Sequence, residues 1–69
     1  MAQYVLFQPS TGGFVVSFST SEKGGSILGF VEIAKDALHG TKASMSKLLD
    51  TIDLDRPAVA DTLMLVRTE

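Results

Sequence analysis

The single histidine, His39, is the first candidate for acid–base or metal chemistry, because histidine titrates near neutral pH. It precedes Gly40, a residue type common just after helices, so its position predicts a last-turn residue that complements a helix dipole. The chain has no cysteine, and one histidine without cysteine cannot complete a zinc site of the usual kind. We therefore expect no metal and no cofactor. The absence of cysteine also excludes disulfides and thiolate nucleophiles.

Carboxylates form the second candidate group. Four aspartates lie close together in the sequence: Asp50, Asp53, Asp55 and Asp61. The alternation Asp53-Leu54-Asp55 is typical of the start of a calcium loop. The glycine at the sixth loop position and the glutamate at the twelfth are missing. These aspartates are expected to be solvated residues near helix ends and loops.

A glycine-rich segment offers the best small-ligand site. Lys23, Gly24, Gly25 and Ser26 precede a predicted helix, so an ammonium, a hydroxyl and free backbone N–H groups could converge on an anion. The same residues also suit an ordinary loop and helix cap. Gly40-Thr41-Lys42 lacks the residue order of a phosphate-binding P-loop. No serine lies in a Gly-x-Ser-x-Gly motif, and we expect no catalytic residue.

Two elements near the N-terminus predict a β-hairpin. Residues 4–8 include aromatic and β-branched residues, and in residues 14–20 apolar and polar residues alternate with a period of two. Simple alternation places Phe14, Val16 and Phe18 on one face, and Val15, Ser17 and Ser19 on the other. Residues 9–13 supply the turn.

Two helices are expected to follow. Ile27, Phe30, Val31, Ala34 and Leu38 have helical spacing, which predicts a helix over about 26–39 capped by Ser26. Gly29 weakens that helix, and the competing interpretation is a third strand over 27–33. The second helix is capped by Thr41 and ends near Thr51, before a connection over 53–57. Its apolar stripe is Met45, Leu48, Leu49 and Ile52.

The C-terminal segment has two interpretations. The continuous apolar run within 62–67 favours a buried central strand, which would give the hairpin a third partner. The alternative is a third helix beginning near Pro57 and capped by Asp55. With the strand, the chain is one α+β domain over residues 1–69, a two-layer β-β-α-α-β sandwich with both helices over one sheet face.

Apolar content predicts self-association. The chain has 69 residues, 45 % of them apolar, and a mean hydropathy of +0.25. A domain of this size buries only about 60 % of its unfolded surface, so a second copy is the expected remedy. The interface is expected on the hairpin, through Tyr4, Leu6, Phe7 and Val15. Strand register decides whether Val15 shares its face with Tyr4 and Leu6 or with Val5 and Phe7.

These observations favour a non-enzymatic interaction protein, a small regulator or inhibitor of the kind that phages encode. It would bind another macromolecule as a homo-oligomer. The alternative is a binder of a nucleotide or phosphate at Lys23–Ser26. Six basic residues are dispersed against eight acidic ones, which disfavours nucleic acid. The absence of a signal peptide or an 18-residue apolar run predicts a cytoplasmic protein without a membrane span.

Overall fold

The computed structural model describes residues 2–20 and 25–68 and confirms an α+β fold. Within these residues the strands form one antiparallel sheet in the order β3-β2-β1-β4. No helix in this part of the chain is long and apolar enough to cross a membrane. The elements are β1 (Tyr4–Gln8), β2 (Gly13–Thr20), β3 (Ser26–Val31), a 3-10 turn (Ala34–Asp36), α1 (Lys42–Asp55), α2 (Pro57–Ala60) and β4 (Met64–Arg67).

The predicted hairpin is confirmed. β1 and β2 are antiparallel, with Phe7 opposite Phe14 and Gln8 opposite Gly13. The turn between them closes when the amides of Thr11 and Gly12 donate to the carbonyl of Gln8, at 3.3 and 2.8 Å. Gly12 has a φ of 75°, a left-handed conformation that glycine adopts without steric cost.

A bulge in β2 makes the predicted alternation wrong. The pairing with β3 shifts between Val15 and Ser17, so Val16 is an extra residue in the strand. Val15 is fully buried in the core, and Phe18 packs against the same core cluster. The strand therefore turns Val15 and Phe18 toward the helices, and simple alternation holds only as far as the bulge.

Beyond the turn, β1 and β2 diverge, and a later segment lies between them. The amide of Leu38 donates to the carbonyl of Val15 at 3.0 Å. Tyr4 and Gly40 exchange two backbone hydrogen bonds of 2.8 and 3.2 Å. This segment satisfies backbone groups that the two strands no longer offer each other.

The helix predicted over 26–39 is wrong, and the competing strand interpretation is confirmed. Residues 26–31 form β3, which pairs along β2, and a short 3-10 turn follows. Aromatic and β-branched residues favour an extended chain, and Gly29 lowers the stability of a helix. The sheet therefore has three N-terminal strands instead of a hairpin alone.

Helix α1 is confirmed, including its cap. The side chain of Thr41 accepts a hydrogen bond of 3.1 Å from the amide of Ser44. The helix continues to Asp55, so the predicted end near Thr51 and the predicted connection over 53–57 are wrong. Asp53 and Asp55 are exposed in its last turn, where solvent reduces their repulsion from the helix dipole.

Both interpretations of the C-terminal segment are correct in part. Pro57 is the first residue of the short helix α2, and Arg56 rather than Asp55 occupies its N-cap. β4 follows and pairs with β1 over four residues, from Tyr4 opposite Arg67 to Phe7 opposite Met64. β4 is an edge strand, so the expectation of a buried central strand is wrong.

The core lies between the sheet and the helices, as the two-layer prediction requires. Its buried members come from β1, β2, both helices and the residue before β4. They are Leu6, Val15, Met45, Ile52, Ala60 and Leu63. Leu48 and Leu49 complete the α1 stripe from half-buried positions.

Truncation of Ile52 should severely destabilise the fold. Ile52 is fully buried, so Ile52→Ala is expected to reduce the free energy of unfolding by about 2–5 kcal/mol. The measurement is urea denaturation followed by circular dichroism. Leu54→Ala, at a residue of the same helix that is 88 % exposed, is the control and should change stability little. Equal losses in the two variants would contradict the assigned helix face.

Candidate functional site

The sheet face opposite the helices carries an apolar row that spans all four strands. Strand register places Phe14 opposite both Phe7 and Val31, and Phe7 opposite Met64. Directly opposed residues in antiparallel strands share a face, and these residues alternate with core residues such as Leu6. We call Val31, Phe14, Phe7 and Met64 the cross-sheet row.

The cross-sheet row is partly open to solvent. Met64 is 48 % exposed, and the other three members are half-buried. Phe7 and Phe14 contact each other at its centre, with ring centroids 4.8 Å apart and an interplanar angle of 37°. This tilted arrangement is favourable for aromatic pairs and holds the middle of the row in place.

The surface predicted from the hairpin divides between the two sheet faces. Leu6 and Val15 are fully buried in the core, and Tyr4 packs against the core cluster. These three residues face the helices, so they do not form the exposed surface that the sequence predicted. Phe7 lies on the opposite face, together with Val5, which is fully buried there. The register thus places Val15 with Tyr4 and Leu6, on the face that packs against the helices.

Strand β3 brings further apolar side chains to the surface. Ile27 is 72 % exposed and Phe30 is 38 % exposed. In the described sheet β3 has one neighbouring strand, β2, so its other side is an edge. The edge of β3 adjoins the cross-sheet row through Val31.

The helix that the predicted anion site required is not formed at Ser26. Ser26 begins a strand, so no helix dipole is present at this position. Nε of Arg56 donates to Oγ of Ser26, and Nη2 of Arg56 donates to the carbonyl of Ser26, both at 2.6 Å. Gly25 is exposed, while Lys23 and Gly24 lie outside the described residues. The Ser26 hydroxyl was expected to face a ligand, but it accepts a hydrogen bond from Arg56 instead.

The remaining candidate groups are not brought together. Nδ1–H of His39 donates to the carbonyl of Ala37 at 2.8 Å, in a segment without regular secondary structure rather than at a helix end. The four aspartates are exposed, three of them in the second half of α1 and the fourth just after α2. Residues 2–20 and 25–68 contain no group of three or more potential metal-binding side chains and no cavity.

Comparison with known proteins adds no relative: no protein-family model, curated protein or solved structure matches this chain.

Sequence reasoning missed Met64, Val31 and Arg56. Met64 and Val31 join the cross-sheet row only once the strand pairing is known, because they are distant from Phe7 in sequence. Arg56 could have been suspected from its place before Pro57, where one helix must end and another can begin. Its bond to Ser26 has no sequence signal, since the two residues are 30 positions apart.

Removal of the Arg56 guanidinium should loosen the start of β3. Arg56→Ala loses both bonds to Ser26 and should reduce the free energy of unfolding by about 1 kcal/mol. Arg56→Lys should lose nearly as much, because an ammonium cannot present the same pair of N–H groups. Urea denaturation measures both, and Lys47→Ala, at an exposed position of α1, should change little. Full stability in Arg56→Lys would show that the bidentate contact is not needed.

Proposed function

We propose that this chain is a non-enzymatic interaction protein, a small regulator or inhibitor that binds another protein and associates with itself. The surface that binds the other protein is the cross-sheet row, on the sheet face opposite the helices. The observation that supports this proposal is the unbroken row of four apolar side chains from one sheet edge to the other. A sheet of this kind commonly covers one face with helices and leaves the other polar, so an apolar second face favours a binding role.

The chemistry of the surface favours a protein partner. The row has no charged member, and the chain carries a net charge of −2, whereas nucleic-acid surfaces are basic. A complementary surface would be apolar and flat at its centre, with aromatic or aliphatic side chains that cover Phe7 and Phe14. Such a contact excludes water from groups that the free chain leaves half-exposed.

The anion-binding alternative has less support. It required a hydroxyl and a helix N-terminus at Ser26, and Ser26 instead lies in a strand and accepts hydrogen bonds from Arg56. No other described observation favours a nucleotide or phosphate. A thermal-shift screen with nucleotides and phosphate, repeated with Lys23→Ala, tests this alternative directly.

A lysine at the exposed end of the row should prevent partner binding. Met64→Lys places a charge in the apolar surface, so a partner that covers the row would have to desolvate an unpaired ammonium. The expected result is loss of the specific partner in affinity capture from cells that produce the protein, followed by at least a tenfold weaker affinity for that purified partner.

Leu54→Lys is the matched control. It makes the same change of residue type at an 88 % exposed position of α1, away from the sheet, and should retain the partner. Circular dichroism and thermal melting confirm that both variants fold. Equal capture by the two variants would place the binding surface elsewhere.

Self-association should make stability depend on protein concentration. A dimer that dissociates on unfolding gains stability with concentration by mass action. The midpoint of thermal unfolding is therefore expected to fall over a hundredfold dilution, and sedimentation equilibrium at micromolar concentration should detect a species heavier than 7.4 kDa. One species of 7.4 kDa with a constant midpoint would contradict self-association.

A further inference from the structure

The two edges of the described sheet differ in how well they resist pairing with another chain. β4 has four residues and ends in the charged Arg67. β3 has six residues, Ser26–Val31, none of them charged. Short length and charge are the usual protection of an edge strand, and β3 has neither.

The sequence of β3 is complementary to itself in an antiparallel pair. A two-fold axis perpendicular to the sheet keeps the helix-covered faces of both copies on the same side. In an antiparallel pair of this symmetry, one residue of each strand lies next to the axis, directly opposite its own copy. With Gly29 on the axis, Ile27 lies opposite Val31 of the second copy, and Leu28 lies opposite Phe30 of the second copy. Each pair is apolar, and aliphatic and aromatic cross-strand pairs stabilise a sheet. The exposed side chains of Ile27 and Phe30 would each gain a partner.

Charge complementarity supports the same register. One step beyond the apolar pairs, Ser26 lies opposite Glu32 of the second copy. Ser26 holds the guanidinium of Arg56 through two hydrogen bonds of 2.6 Å. The carboxylate of the second copy would therefore approach a fixed positive charge, and symmetry repeats this contact at the other end of the pair.

We propose that two copies of this chain pair antiparallel through β3, about a two-fold axis at Gly29. This inference rests on the self-association proposed above and specifies where it occurs. The pair forms one continuous sheet with the helices of both copies on the same side. Ile27 of each copy then lies beside Val31 of the other, which extends the cross-sheet row from one copy toward the next. The partner-binding surface is thus shared between the two copies.

Engineered cysteines test the register, because the chain has no cysteine of its own. We expect an oxidised equimolar mixture of Ile27→Cys and Val31→Cys chains to form mainly the mixed disulfide dimer. Opposed residues of an antiparallel pair have Cα atoms about 4.5–5.5 Å apart, within disulfide range. Position 27 of one copy is about 13 Å from position 27 of the other, so Ile27→Cys alone should not cross-link. Leu54→Cys mixed with Val31→Cys is the control and should form only background dimer.

A charge on the edge tests the contact without a covalent bond. Ile27→Lys is expected to weaken dimerisation at least tenfold in sedimentation equilibrium, because two lysines would enter an apolar pair of strands. Leu54→Lys, the same type of change at an 88 % exposed position of α1, should dimerise like the wild type. Melting curves show whether each variant is folded.

The outcomes separate this inference from the proposed function. Cross-linking as strong in the Leu54→Cys control as in the mixed pair, or unchanged dimerisation of Ile27→Lys, would overturn the β3 contact while self-association remained. A monomeric wild-type chain would overturn both the contact and self-association. Partner binding is tested independently by the Met64→Lys capture.

Discussion

Backbone pairing along β1 is the constraint on which the rest of the structure depends. This five-residue strand pairs with β2 at one end, with Gly40 at the other, and with β4 along its second side. Its amide and carbonyl groups would otherwise be buried without partners, which is costly. The backbone groups on both sides of β1 need hydrogen-bond partners. β4 supplies them on one side, and on the other side residues 38–40 supply them where β1 and β2 diverge. Leu6 and Val5, fully buried on opposite faces, are fixed by the same pairing.

The position of β1 explains why one face of the sheet is better covered than the other. Tyr4 and Leu6 point toward α1 and contribute to a core with residues from both helices. Among residues 2–20 and 25–68 no helix covers the opposite face, and its cross-sheet row stays partly exposed. The described residues form two α-helices, and both pack on one face of the sheet. The proposed partner and second copy supply contacts that the chain cannot make alone.

Local sequence signals predicted the elements whose stabilising contacts are also local. The turn glycines identified the hairpin, and Thr41 identified the start of α1. Prediction failed where long-range pairing decided the outcome. Residues 26–31 carry a helical spacing of apolar side chains, but pairing with β2 makes them a strand. Beyond the bulge at Val16, the side chains of β2 point to the face opposite the one that simple alternation predicts. No single-residue propensity predicts a bulge.

For the candidate site, too, local sequence signals predicted part of the surface and long-range strand pairing decided the rest. Sequence alone placed an apolar surface on the hairpin and included Phe7, but it could not choose the face. Choosing it required the register between β1 and β4, which joins segments at opposite ends of the described chain. For the same reason Met64 and Val31 were missed.

The return of the chain to β1 also affects how the fold is reached. The side chain of Thr68 donates to the carbonyl of Gln3, 65 positions earlier, beside the β1–β4 pairing. Contacts this distant in sequence require closure of a long loop, which slows folding relative to local contacts. The hairpin and α1 can form early, while β1 keeps an unpaired edge until residues 64–67 dock. This docking should therefore come late in folding, and until it occurs the second side of β1 offers unpaired backbone groups to other chains.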